Sequence, residues 1–195
     1  MKNIGIFCGS SAGLSPAYMD SARAVGKRLV HNAFGIVYGG GRVGLMGAVA
    51  DSAIACGGHV TGVIPEALFE REIAHTGLSD LRVVANMHER KNMMAELSDG
   101  FIALPGGAGT LEEIFEQWTW AQLGIHRKPC AFLNVNHFYQ PLEAMIQQTV
   151  REGFMKQEYA DMLLFSDNID DIIHHFKNYT PPASKWSTQN GEPRV

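Results

Sequence analysis

Along the chain, short unbroken apolar runs alternate with longer stretches in which apolar residues recur every three or four positions. Short apolar runs bounded by glycine read as buried strands, and the longer periodic stretches read as helices. Strands are expected at residues 3–8, 34–38, 59–64, 81–85, 100–104, 129–135 and 162–165. Helices are expected at 15–31, 45–55, 87–98, 111–123, 138–152 and 169–176. Ser15 is placed to cap the first helix, with Pro16 at its first position, and Gly57-Gly58 ends the second. Residues 65–80 are irregular and polar, a loop with room for one short helix. The alternation predicts an α/β fold in which a doubly wound, mostly parallel sheet carries helices on both faces. Right-handed crossovers then gather the loops at the strand C-termini on one edge, where such sheets bind ligands.

Length and composition narrow this picture. At 195 residues the chain fits one domain, expected over 1–180. Residues 181–195 lack periodicity and read as a flexible or weakly docked tail. A net charge of −4 argues against a general nucleic-acid surface. Cys8, Cys56 and Cys130 lie far apart in or beside apolar segments, so buried free thiols are expected rather than disulfides or a zinc site. No signal peptide and no membrane-length apolar run is visible, and a cytoplasmic protein is expected.

Three strand-end loops carry glycines and small hydroxyls: 8–13 with Ser10, 38–47 with Gly40 and Gly41, and 105–113. The last reads Pro-Gly-Gly-Ala-Gly-Thr-Leu-Glu-Glu. Glycines between a strand and a helix let backbone N–H groups approach an anion, and the helix start adds a positive partial charge. A phosphate is the natural guest, and Glu112 and Glu113 bring carboxylates beside it. Thr110-x-x-Glu113 is also the spacing of a capping box, so Glu113 has two readings, cap and catalyst. The second loop contains G-x-G-x-x-G, the dinucleotide fingerprint. It follows the second strand rather than the first, and the acidic residue expected further on is matched only loosely by Glu66, so NAD binding is disfavoured. Asn86 and Glu89 form a capping-box-like start that leaves Arg90 and Lys91 near the first helical turn. The helix dipole disfavours cations there, so the pair is either functional or solvated surface charge. Glu66, Glu70, Arg71 and Glu72 sit in the irregular loop, which could close over the crevice. Trp118, Trp120, Met93 and Met94 read as packing residues, and His174-His175 as surface.

Pro-Gly-Gly-x-Gly-Thr-x-x-Glu at 105–113 with Met-His-x-Arg-Lys at 87–91 resembles the Lonely Guy (LOG) family. Tyr-Gly-Gly-Gly at 38–41, Gly-Leu-Met-Gly at 44–47 and Trp-Ala-Gln-Leu-Gly-Ile-His at 120–126 extend the resemblance over residues 2–179. Members are cytokinin riboside 5′-monophosphate phosphoribohydrolases, and bacterial relatives act on AMP. Older labels call such proteins possible lysine decarboxylases. The resemblance implies a Rossmann-like fold, a homodimer, a nucleoside 5′-monophosphate as substrate, and no cofactor or metal. It implies Arg90 and Glu113 as the catalytic pair. It places Gly106, Gly107, Ala108, Gly109, Thr110 and Leu111 in the phosphate-binding turn. Glu72, Lys91, Glu112 and Thr119 become further substrate contacts. Plant members usually follow the equivalent of Arg71-Glu72-Ile73 with Thr-Gly-Glu-Thr, where this chain has Ala74-His75-Thr76-Gly77.

Hydrolysis of an N-glycosidic bond needs negative charge beside an oxocarbenium-like ribosyl centre and a positioned water. Glu113 is the expected source of both, with Arg90 holding Glu113 or the sugar hydroxyls. The alternative is a non-catalytic nucleotide-binding or carrier protein on the same fold. The apolar residues Ile114, Phe115, Trp118 and Leu123 are expected to leave a surplus apolar face that a dimer would cover.

Overall fold

The computed structural model describes residues 1–69 and 74–185, and a small antiparallel pair, Thr188–Gln189 with Glu192–Pro193. The strands β1 (Asn3–Phe7), β2 (Gly35–Tyr38), β3 (Val60–Pro65), β4 (Asp80–Val84), β5 (Gly100–Ala103), β6 (Cys130–Leu133) and β7 (Leu163–Ser166) form one sheet. Every pairing in it is parallel, and the order is β4-β3-β2-β1-β5-β6-β7. The inner strands are buried on both faces, which is why they read as continuous apolar runs rather than as alternation.

Helices α1 (Pro16–His31), α2 (Gly44–Ala55), α3 (Glu66–Phe69), α4 (Met87–Leu97), α5 (Ala108–Leu123), α6 (Gln140–Arg151), α7 (Gln157–Ala160) and α8 (Ile169–Asn178) connect the strands. One core packs α1, α2 and α8 on the sheet through Val25, Leu29, Val49, Ile172 and Phe176. The other packs α4 to α7 on the opposite face through Met94, Ile114, Trp118, Ile146 and Tyr159. Strand order reverses between β1 and β5, because the chain winds outward from β1 to β4 and then returns to pair β5 with β1. The loops after these two strands therefore part toward opposite faces and open a crevice between them.

Two expected boundaries shift for physical reasons, and one further helix appears. Helix α5 starts at Ala108 rather than at Leu111, because Gly107 takes the cap position in extended conformation. Helix α6 starts at Gln140 rather than Phe138. A 3-10 turn at Val135–His137 precedes it, with Asn136 and His137 at positive φ, and the Asn134 side chain accepts from Tyr139 N–H at 2.7 Å. The short α7 was not anticipated, and its Tyr159 carbonyl receives the Trp118 indole N–H at 2.9 Å. Trp118 is thus a core residue, as its aromatic character suggested. Most of the surplus apolar face expected on α5 is not there, Leu123 alone of the four lying outside the core. Ile114 and Trp118 are buried in the chain's own core, and Phe115 packs against it. The tail begins docked, with Lys185 N–H donating to the Gln122 carbonyl at 2.8 Å. Among the described residues no helix is long and apolar enough to cross a membrane.

Candidate active site

Both loops at the strand-order reversal are tied together. Leu104 N–H donates to the Phe7 carbonyl at 2.9 Å, and Gly9 N–H to the Pro105 carbonyl at 3.0 Å. The Tyr139 hydroxyl adds a 2.6 Å bond to the Leu104 carbonyl, which fixes the end of β5 from the far side. Helix α5 begins immediately beyond. Its cap residue Gly107 has no side chain to accept from the first turn, and the helix start carries no side-chain cap bond. The N–H groups of Ala108, Gly109 and Thr110 have no acceptor within the helix. Gly107, Ala108 and Gly109 are exposed, while the Thr110 side chain is buried. This is a bare, positively polarised helix start facing open space. Because the helix begins at Ala108, Thr110 lies inside the first turn and Glu113 in the second. Neither is placed as a capping-box partner, so that reading of Glu113 is withdrawn.

Helix α4 is built the opposite way. Asn86 Oδ1 accepts from Glu89 N–H at 3.0 Å, and Glu89 Oε2 accepts from Ala85 N–H at 3.0 Å. The sequence-predicted cap is real here. The next residue, Arg90, is only 5% exposed and is held inside the protein. One of its guanidinium N–H groups donates to the Gly39 carbonyl at 3.3 Å. A side chain at position 39 would run into that guanidinium, so this glycine is required by the close approach. Arg90 is therefore packed, not a solvated surface charge.

Arg90 and Glu113 line one cavity of about 270 Å³ with Cys8, Gly9, Ser10, Met46, Leu68, Met87, Gly107, Gly109 and Thr110. A second cavity of about 300 Å³ adjoins it, sharing Gly9, Ser10 and Gly107, and carries Tyr18, Leu45, Gly106 and Phe138. Burial pushes the Cys8 thiol well above its usual range. Negative charge on Glu113 pushes it the same way, and Arg90 opposes. Cys8 is thus a neutral wall residue rather than a nucleophile, in the cavity that Arg90 and Glu113 also line.

Other expected contacts lie elsewhere. Lys91 Nζ donates to Glu112 Oε1 at 2.5 Å and to Glu116 Oε1 at 3.0 Å, a clamp between α4 and α5. The two carboxylates outweigh the burial that would lower the Lys91 pKa, and it is raised. Lys91 and Glu112 are engaged with each other, one residue along from the pair that lines the cavity. Leu111 packs against the core and its N–H bonds the Gly107 carbonyl. Thr119 lies further along α5 and donates to the Phe115 carbonyl at 2.7 Å. Gly40 and Gly41 do not line the cavity: Gly40 accepts from His75 N–H at 2.9 Å, and Gly41 bridges Ala74. Glu72, with Glu70 and Arg71, lies outside the described residues. Sequence reasoning did not single out Gly39, Met46, Leu68 or Met87 for the site. Gly39 had a signal, as the first of three consecutive glycines after β2; Met46 and Met87 stood in quoted motifs, and Leu68 had none.

Comparison with known proteins finds relatives over most of the chain. The family profile described as "Possible lysine decarboxylase" matches residues 46–176. Cytokinin riboside 5′-monophosphate phosphoribohydrolase LOG7 of Arabidopsis thaliana is 46% identical over 180 residues, covering 92% of this chain and 83% of its own. The phosphoribohydrolase LOG of Oryza sativa subsp. japonica is 43% identical over 180 residues, covering 92% and 74%. Among solved structures, the molybdenum cofactor binding protein of Rippkaea orientalis superposes with a TM-score of 0.69 at 20% identity, covering 91% of this chain and 96% of that one. At that identity the likeness speaks for the fold alone.

Proposed function

This chain belongs to the Lonely Guy family of cytokinin riboside 5′-monophosphate phosphoribohydrolases, and on that premise we propose how its site performs the reaction and on which substrate. The protein is an N-glycosyl hydrolase that cleaves a nucleoside 5′-monophosphate into free base and ribose 5-phosphate. The observation that carries the assignment of roles is the cavity in which Arg90 and Glu113 meet the bare start of α5.

The 5′-phosphate sits on the N–H groups of residues 107–110, where charge-assisted hydrogen bonds and the helix dipole favour an anion. That contact is remote from the bond that breaks. It fixes the ribose, so its binding energy also serves orientation. As the C1′–N bond lengthens, positive charge grows on the ribosyl ring and the Glu113 carboxylate stabilises it. Glu113 also orients a water molecule and takes its proton as the water oxygen bonds to C1′. The base leaves with the electron pair of the broken bond and is protonated. Arg90, buried and lining the same cavity, holds Glu113 or the sugar hydroxyls in place.

AMP is the proposed substrate, with N6-substituted AMP as the variant to compare. The support is the resemblance to bacterial relatives and the departure from the plant pattern at residues 74–77. We extend the proposal to a cytoplasmic homodimer. Family resemblance supports it, and exposed Phe69, Val83 and Met87 are apolar residues such an interface could cover. Light scattering should give twice the chain mass, and a monomer mass at micromolar concentration would contradict it.

The decarboxylase description does not fit this site. A Schiff-base lysine needs a lowered pKa so that a neutral amine can attack. Lys91, the one lysine in the site motifs, is clamped by two carboxylates and shifted the other way. Incubation with AMP, prenylated AMP, IMP and GMP, followed by chromatography of the free base, tests the proposal. Adenine with equimolar ribose 5-phosphate is expected. Bound nucleotide recovered intact in every case would favour the non-catalytic carrier reading.

A further inference from the structure

We propose that His75 is a positioning residue for the active-site cavity, and that with Asp51 it fixes the spacing between two cavity walls, Leu68 and Met46. The inference rests on the functional reading above.

Leu68 lines the cavity from α3, a helix of four residues. A helix that short is not stable on its own, so tertiary ties must set its place. Those ties run through residues 74–77. Ala74 N–H donates to the Phe69 carbonyl at 3.1 Å, next to Leu68. Ala74 also bridges Gly41, and His75 N–H donates to the Gly40 carbonyl at 2.9 Å. The His75 side chain is 5% exposed. Its Nδ1 lies 3.1 Å from Gly77 N–H and accepts from it, so that nitrogen carries no proton. The proton is then on Nε2, which donates to Asp51 Oδ1 at 2.8 Å. A buried imidazole with both nitrogens engaged is a rigid link.

Asp51 stands on α2, the helix that also carries Met46 into the cavity. The start of α2 is fixed to the first glycine loop by Leu45 N–H donating to the Gly9 carbonyl at 3.1 Å. One wall, Met46, thus belongs to the same helix as Asp51. The other, Leu68, is tied through Phe69 and Ala74 to His75. The imidazole–carboxylate bond joins the two. It lies outside the cavity lining, and Asp51 is exposed, so the link can be cut without touching substrate.

Asp51→Ala is expected to raise KM for AMP by about 5–10-fold and leave kcat within about two-fold, the size of one ordinary hydrogen bond, since Asp51 is exposed and its charge is screened. His75→Asn keeps an acceptor for Gly77 N–H but cannot reach Asp51, and should match it. Asp51→Asn keeps an oxygen acceptor and should restore the wild-type KM. Leu68→Ala should raise KM by itself, and adding Asp51→Ala should raise it no further. Additive effects, or a lowered melting temperature with unchanged KM, would overturn the proposal. A readout independent of turnover is hydrogen exchange at the His75 amide, which Asp51→Ala should accelerate; unchanged exchange would also overturn it. If the wild-type protein releases no base, the functional reading falls, and the exchange measurement still decides whether the anchor exists.

Discussion

Two helix starts meet in this cavity and solve the same problem in opposite ways. Both α4 and α5 must deal with N–H groups that have no partner inside the helix. At α4, Asn86 and Glu89 satisfy the local donors from within the chain. At α5, Gly107 offers nothing, and the donors are left toward the cavity. The first start is finished when the protein folds, and it delivers a buried Arg90. The second is unfinished until an anion arrives. In sequence the two look alike, since Asn86-x-x-Glu89 and Thr110-x-x-Glu113 share the capping spacing. Only one is a cap. The lesson is that a capping pattern preceded by extra glycines marks a helix that begins earlier than the pattern implies, which moves its glutamate from the cap into the second turn.

The sharpest way to break this contrast is to remove the two glutamates in turn. Glu113→Gln should lower base release by about 100-fold or more, the range for a positioned electrostatic or acid/base group, with the fold intact. Glu89→Gln should leave turnover per folded molecule within a few-fold. Equal losses of activity in the two variants, measured by chromatography of the free base, would erase the distinction.

Next in size is Gly109→Ala. A methyl group there meets nothing within 4 Å in the protein, and alanine favours the helix by about 0.5–1 kcal/mol. Stability should hold or rise, yet the methyl group enters the cavity in front of the N–H donors. A fall in kcat/KM of about 10-fold or more, with an unchanged or higher melting temperature, is expected. Full activity would show that this start does not meet the substrate.

Asn86→Ala should act on stability instead. Loss of the cap costs about 1 kcal/mol, or roughly 2–4 °C in melting temperature for a chain of this size. Calorimetry checks it, and a 10-fold loss of turnover at full folding would put α4's cap in the catalytic machinery after all.

The smallest effect separates acid damage to the fold from acid damage to the site. Burial, with Lys128 adding, pushes the His126 imidazole down to about 4. It lies in the loop after α5 and accepts from Lys128 N–H at 3.2 Å. Its folded pKa is below the unfolded value near 6.5, so the unfolded chain takes the proton first. The stability it contributes is complete above about pH 6.5 and is lost as the pH falls toward 4. His126→Gln should flatten denaturation midpoints across that window; an unchanged slope would remove His126 from the account.

How much was legible follows from the same contrast. The strand positions were readable to within two residues because buried parallel strands are continuous apolar runs. The crevice was readable because parallel order puts glycine-rich loops on one edge. Arg90, Glu113, Ser10 and the turn from Gly106 to Thr110 were all named from sequence and resemblance, and all line the two adjoining cavities except Ala108. What stayed hidden depends on tertiary distance. Lys91 and Glu112 look like a cation and an anion available to substrate until folding places them 2.5 Å apart. Gly40 and Gly41 look like a cradle until Ala74 and His75 are found bonded to them. Met46 and Met87 stand inside quoted motifs but look like ordinary packing residues there, and Leu68 has no local signature.

The central claim is that the uncapped start of α5 holds the 5′-phosphate of the substrate. Parallel initial rates on AMP and adenosine test it most directly. Several charge-assisted hydrogen bonds, at about 1.5–3 kcal/mol each, are lost with the phosphate, so kcat/KM for adenosine should be at least about 100-fold lower. Equal cleavage of AMP and adenosine would contradict the phosphate anchor, whichever base the protein prefers.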